Sequence, residues 1–156
     1  MSSDIFHGEV LVGFTVSLAN IAIHAVMMSV LVWTAHRASL ATQRTHPRLR
    51  IIVVMWSTVT VLMFAHLWEV VVWGVVYDLL GAVPRGADAL YFAFVNYTTL
   101  GYGDIVPATR WRLLGPLTAM NGVLLFGWST AVIYDILRTV AQVIPMTSAA
   151  VRNTTG

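Results

Sequence analysis

The chain has 156 residues, of which 58% are hydrophobic and only 10% charged, with a mean hydropathy of +0.76. Soluble domains carry about 25% charged residues, so composition excludes a soluble globular protein, and the length excludes a separate soluble enzyme domain. The formal charge of +2 comes from nine basic residues, all of them arginine. Without a basic face there is no case for a nucleic-acid partner, and the lack of cysteine excludes disulfides and thiolate metal sites.

At the N-terminus, Asp4 and Glu9 appear with no basic residue ahead of a long apolar run, a pattern unlike a cleaved signal peptide. A helix needs about 20 apolar residues to cross a bilayer. Three stretches meet that length, over Val10–Trp33, Ile51–Val76 and Leu113–Leu137. They predict an all-α integral membrane fold with three transmembrane helices. Between the second and third lies an apolar segment over Gly86–Thr98 containing Tyr91, Phe92 and Phe94. At about a dozen residues it is too short to cross, and it reads as a re-entrant helix. Pro84 and Gly86 break the chain ahead of it, and Asp88 suits the first helical turn electrostatically.

Arginine placement gives an orientation. Arg37, Arg44, Arg48 and Arg50 follow the first span, and Arg138 and Arg152 lie at and beyond the end of the third. Arg85, Arg110 and Arg112 lie on the other side. The positive-inside rule then puts the N-terminus outside and the C-terminus in the cytoplasm, in a plasma or inner membrane. The tail over 141–156 is small and polar, and is expected to be frayed.

The stretch Thr98-Thr99-Leu100-Gly101-Tyr102-Gly103-Asp104 follows the short helix. Glycine reaches left-handed backbone angles at little steric cost, so alternating it with other residues lets successive carbonyls point the same way. A ring of such carbonyls can replace the water shell of a dehydrated cation. The segment resembles the selectivity-filter signature of potassium channels, usually written T-V-G-Y-G-D, with Leu100 where valine is usual. The resemblance extends over residues 51–140, as outer helix 51–76, pore helix 86–98, filter 99–103 and inner helix 113–137. Residues 1–50 add an arm, an extra peripheral span and the arginine-rich connection.

The resemblance implies a homotetramer conducting K+ passively through sites built by Thr99, Leu100, Gly101, Tyr102 and Gly103. Potassium is then the permeant ion, and no cofactor is implied. The Tyr102 side chain would face away from the axis and brace the filter, and Asp104 would raise the cation concentration at the outer mouth. Pro107 and Thr109, then Trp111 and Arg112, follow at the family's spacing. Gly122 stands where the inner helix of these channels often has a hinge. Close helix packing is the alternative there, and is the favoured reading for Gly127. The chain departs from the pattern at Val95, where many members carry a glutamate paired with the aspartate, so Asp104 must be held differently. Asn96 and Tyr97 are bulkier or more polar than is common in the last turn of the pore helix.

Other polar residues interrupt the spans. His66 and Glu69 lie three apart on one helical face. They read either as a buried pair that fixes packing or as a proton sensor. Asn20 and His24, four apart, are expected to hydrogen-bond to another helix. Asn121 could face the cavity or a neighbouring subunit, while Asp135 could ring the inner mouth or pair with Arg138. The sequons at Asn96 and Asn153 are read as spurious. No span carries arginine at every third position, so no voltage sensor is recognisable. Gating must lie in the filter, the inner helix or a separate partner. No catalytic constellation is present. The alternatives to a potassium channel are a weakly selective cation channel, a non-conducting accessory subunit, and a haem or metal bundle using His24 and His66 as axial ligands.

Overall fold

The computed structural model describes residues 3–41, 47–84 and 87–142. Arg44, Arg85, Gly86 and the tail from residue 143, including Arg152 and the Asn153 sequon, lie outside them. The described residues form four α-helices and no strand: α1 (Ser3–Ala41), α2 (Pro47–Leu79), α3 (Ala89–Tyr97) and α4 (Leu114–Gln142), with a 3-10 turn at Thr109–Trp111 before α4. Three segments are long and apolar enough to span a membrane, His7–Ala35, Ile51–Leu79 and Thr109–Val140.

Helices α1, α2 and α4 run past the predicted spans. Apolar length measures the hydrocarbon slab, whereas the helix continues until a breaker or cap stops it. Helix α2 starts at Pro47, whose fixed φ and missing N–H suit a first helical position. It ends at Leu79, and the chain turns away through Gly81, with φ +57, where Ala82 N donates back to Tyr77 O at 2.9 Å. Helix α3 is shorter than the predicted 86–98 because Asp88 caps it, its Oδ1 accepting from the amides of Leu90 (2.9 Å) and Tyr91 (3.0 Å).

Buried positions form one stripe along each long helix. On α1 they are residues 9, 13, 17, 20, 24, 28 and 31, stepping by three or four. This is the helical period, and it carries polar side chains inward: Glu9, Ser17, Asn20 and His24 on α1, Thr58 and Glu69 on α2, Thr118, Asn121 and Ser129 on α4. Packing is layered. One apolar cluster joins Trp73, Tyr77, Phe92, Tyr97 and Leu114, with Val12 and Val16 against it. A second joins Met28, Leu31, Val54, Leu62, Ile136 and Val140. Ser17, Asn20, His24, Glu69, Thr118, Asn121 and Ser129 lie between the two clusters, whereas Thr58 falls within the second, between Val54 and Leu62.

Lipid tails are as apolar as leucine, so close packing and interhelical hydrogen bonds hold spans together. Glycines provide the close approaches. At Gly74 a Cβ would lie 3.2 Å from the Leu90 Cα, and at Gly122 it would collide with the Tyr97 carbonyl oxygen. Helix α3 is thereby seated between α2 and α4. Gly127 faces open space in the single chain, so packing within the subunit explains Gly122 and not Gly127. Nor is α1 a loosely attached addition. It packs along both α2 and α4 and supplies Glu9, Ser17, Asn20 and His24 to the buried polar groups.

Gly122→Val should lower the melting temperature of detergent-purified protein, because overpacking against main chain costs about 1–3 kcal/mol. Gly8→Ala, where nothing lies within 4 Å, should leave it unchanged.

Candidate ion-conducting site

Leaving α3, the backbone turns back on the helix end. Thr98 N donates to Phe94 O (3.0 Å), Thr99 N to Asn96 O (2.9 Å), and Leu100 N and Gly101 N both to Val95 O (2.9 and 3.2 Å). These bonds occupy carbonyls that a helix end otherwise leaves orphaned. Beyond them, Thr99 (φ 62), Gly101 (φ 56) and Gly103 (φ 75) have left-handed backbone, while Leu100 and Tyr102 between them do not. A strand alternates its carbonyls from side to side. Alternating the sign of φ instead lets successive carbonyls turn toward one side. Among the described residues Thr99 is the one non-glycine with positive φ, a conformation costing a residue with a Cβ about 1–2 kcal/mol. Strain of this kind concentrates at functional sites.

The strip is open in the single chain. Leu100 is 57% and Tyr102 67% exposed, and the glycines and Asp104 are exposed too. Within one subunit the Tyr102 ring therefore braces nothing. Asp104 is held from another direction, by Tyr91, whose Oη donates to its Oδ2 at 2.8 Å. The bond to the carboxylate pushes the Tyr91 phenol above its ordinary pKa. Tyr91 stands four residues before Val95, one turn away on the same side of α3. That spacing was the available signal for this partner. The return to α4 is tied down by Ala108 N donating to Ala82 O at 2.8 Å, and by the Arg110 guanidinium 4.7 Å above the Trp111 ring.

Behind the strip lies the polar centre. Glu69, wholly buried, receives His24 Nδ1 on Oε1 at 2.7 Å and His66 Nδ1 on Oε2 at 3.0 Å. Tyr97 Oη donates to the same Oε2. Both histidines reach Ser129 Oγ through Nε2, His66 at 2.9 Å and His24 at 3.3 Å. One turn of α2 further along, Asn121 Oδ1 accepts from Trp73 Nε1 (3.1 Å) and from Asn20 Nδ2 (3.2 Å). Asn121 thus bonds to α1 and α2 of its own chain. His66 and Glu69 do pair, joined by His24, Tyr97 and Ser129. The sequence pattern pointed to His24 without its partner and missed Tyr97 and Ser129 altogether.

Two expectations are corrected. Asp135 and Arg138 are both exposed, and no ion pair forms between them. The axial-ligand reading of His24 and His66 also fails. Their rings sit with centroids 5.4 Å apart, and both Nε2 atoms converge on one hydroxyl. A macrocycle cannot pass between them. The donor atoms of His24, His66 and Glu69 do lie within 4.8 Å of one another, but each is already committed to a hydrogen bond.

The family model for ion channels matches residues 51–139. The chain belongs to the ion channel family. No curated protein and no solved structure matches it. The channel match takes in α2, α3, the glycine strip and most of α4, and leaves α1 outside. Asn20 and His24 therefore tie a helix beyond the matched region into the centre of the channel module.

In this channel, Tyr91→Phe removes the donor that holds Asp104. Amide hydrogen exchange at Gly103 and Asp104 should speed up several-fold, with exchange inside α2 unchanged.

Proposed function

We propose that the protein is a homotetrameric, potassium-selective channel that conducts passively through Thr99–Gly103. The observation that carries this reading is the alternation of φ at Thr99, Gly101 and Gly103 directly after a nine-residue helix. At 1.5 Å per residue that helix is about 14 Å long, far short of a crossing, so it serves as a re-entrant pore helix that delivers the strip to mid-membrane depth. Irregular backbone at that depth is stable only when protein covers it or water fills the space beside it. One chain leaves the strip exposed, and this supports further copies closing around a shared axis. The exposed Tyr102 ring then finds its brace on a neighbouring subunit.

Facing a dehydrated K+, the carbonyls substitute for the hydration shell, and Asp104 at the mouth concentrates cations. The six-to-three arginine asymmetry supports an outward-facing mouth and a cytoplasmic C-terminus in an inner or plasma membrane. Leu100 replaces a β-branched residue without removing a carbonyl. K+ therefore permeates, and the margin over Na+ depends on how firmly Tyr91 and Tyr97 hold the two ends of the strip.

Purified protein in liposomes with a potassium gradient should pass K+, with barium blocking the flux. Na+ flux should be at least about tenfold lower, equivalent to about 1.4 kcal/mol of discrimination. Gly101→Asp should abolish transport, since it puts a side chain at φ 56 and a charge in the conduction path. Equal K+ and Na+ fluxes would indicate a weakly selective cation channel. No flux under any pH or voltage would indicate an accessory subunit.

A further inference from the structure

Four side chains of the polar centre close a ring. Its edges are Glu69 Oε1 to His24 Nδ1 (2.7 Å), His24 Nε2 to Ser129 Oγ (3.3 Å), Ser129 Oγ to His66 Nε2 (2.9 Å) and His66 Nδ1 to Glu69 Oε2 (3.0 Å). Four edges require four hydrogens. A carboxylate brings none, each neutral imidazole brings one, and the serine hydroxyl brings one. The total is three, one short of a closed ring.

The groups around the ring do not supply the missing hydrogen. Tyr97, from α3, has both Glu69 Oε2 and His66 Nδ1 (3.0 Å) within reach, and its single hydrogen, placed on the shorter contact to Glu69, adds none to the four edges. Asn20, from α1, donates to the Glu69 carbonyl oxygen at 3.3 Å and to Asn121. The titratable groups facing the ring are then His24 from α1, His66 and Glu69 from α2 and Tyr97 from α3, with the Ser129 hydroxyl from α4. With three hydrogens, one of the four edges would set two lone pairs against each other, and the cluster would carry a net negative charge with His24 and Glu69 0% exposed and His66 14% exposed. Each is expensive in an apolar interior. A single added proton removes both penalties.

We propose that the ring holds that proton, as a net-neutral proton-binding site built jointly by α1, α2 and α4. Placed on an imidazole it gives an imidazolium–carboxylate pair, and placed on Glu69 it gives a carboxylic acid with two neutral rings. Both placements satisfy all four edges. Tyr97 hangs from the ring, two residues before Thr99. Loss of the proton to bulk water opens one edge, leaves a buried charge and loosens the support beneath the strip. The effect on conduction rests on the potassium-channel reading, whereas the site itself does not.

The test is histidine-15N NMR of the full chain in lipid bilayers, in a background where His7, His36 and His46 are replaced by Gln. At pH 7 the expected spectrum holds one imidazolium and one neutral ring. If both rings are neutral, infrared difference spectra against Glu69→Gln must show a protonated Glu69 carboxyl. Two neutral rings beside an ionised carboxylate overturn the proposal, as do two imidazoliums. Ser129→Ala removes the shared hydroxyl, so its extra proton should leave about one pH unit lower, the worth of one net hydrogen bond. An unchanged pH of release overturns the ring. The wild-type spectrum decides the matter if that variant does not fold. K+ flux from the same liposomes should change several-fold across the pH at which the spectra lose the proton. A flat profile there overturns the coupling to the pore, and flux absent at every pH defeats the channel reading while the spectra still decide the site.

Discussion

A buried carboxylate is stabilised by the donors around it, and Glu69 draws its donors from three of the four described helices. Its two oxygens draw His24 from α1, His66 from the preceding turn of α2 and Tyr97 from the end of α3. Ser129 of α4 then bridges the two histidines. Apolar side chains alone would allow the helices to slide or rotate against one another, since lipid offers them nearly equivalent contacts. The polar centre removes that freedom by fixing the depth and rotation of each helix.

The same centre gives the glycine strip its foundation. Tyr97 is the last residue of α3, and its side chain is anchored below while its carbonyl presses on Gly122 of α4. From that fixed point the backbone folds back on Val95 and enters the alternating stretch from Thr99 to Gly103. The other end is held by a separate device, the Tyr91–Asp104 hydrogen bond. One end is thus supported by a buried network and the other by a contact that is exposed in the single chain. The two ends therefore differ in how tightly they are held.

Much of this was legible in the chain itself. Long apolar runs locate the spans because a bilayer leaves few other uses for them, and Asp88 signals the start of α3. The buried stripe was harder to read. Helices apolar on all sides have no amphipathic contrast, and only the spacing of Ser17, Asn20 and His24 betrays the inward face. Helix ends shifted because hydropathy reports the slab rather than the hydrogen-bond ladder. Packing was the favoured reading for Gly127 and only one of two for Gly122, yet it is Gly122 that lies against main chain.

Sequence by itself determined what is local or compositional: a membrane protein, three spans, a short helix, and the glycine–tyrosine alternation that makes a left-handed strip affordable. Tertiary structure decided which polar residues meet. His24 and Glu69 are 45 positions apart, and His24 and Ser129 are 105 apart. No helical period links such residues. Their meeting depends on how α1 is rotated against α2 and α4, the rotation that brings His24 onto the Glu69 carboxylate.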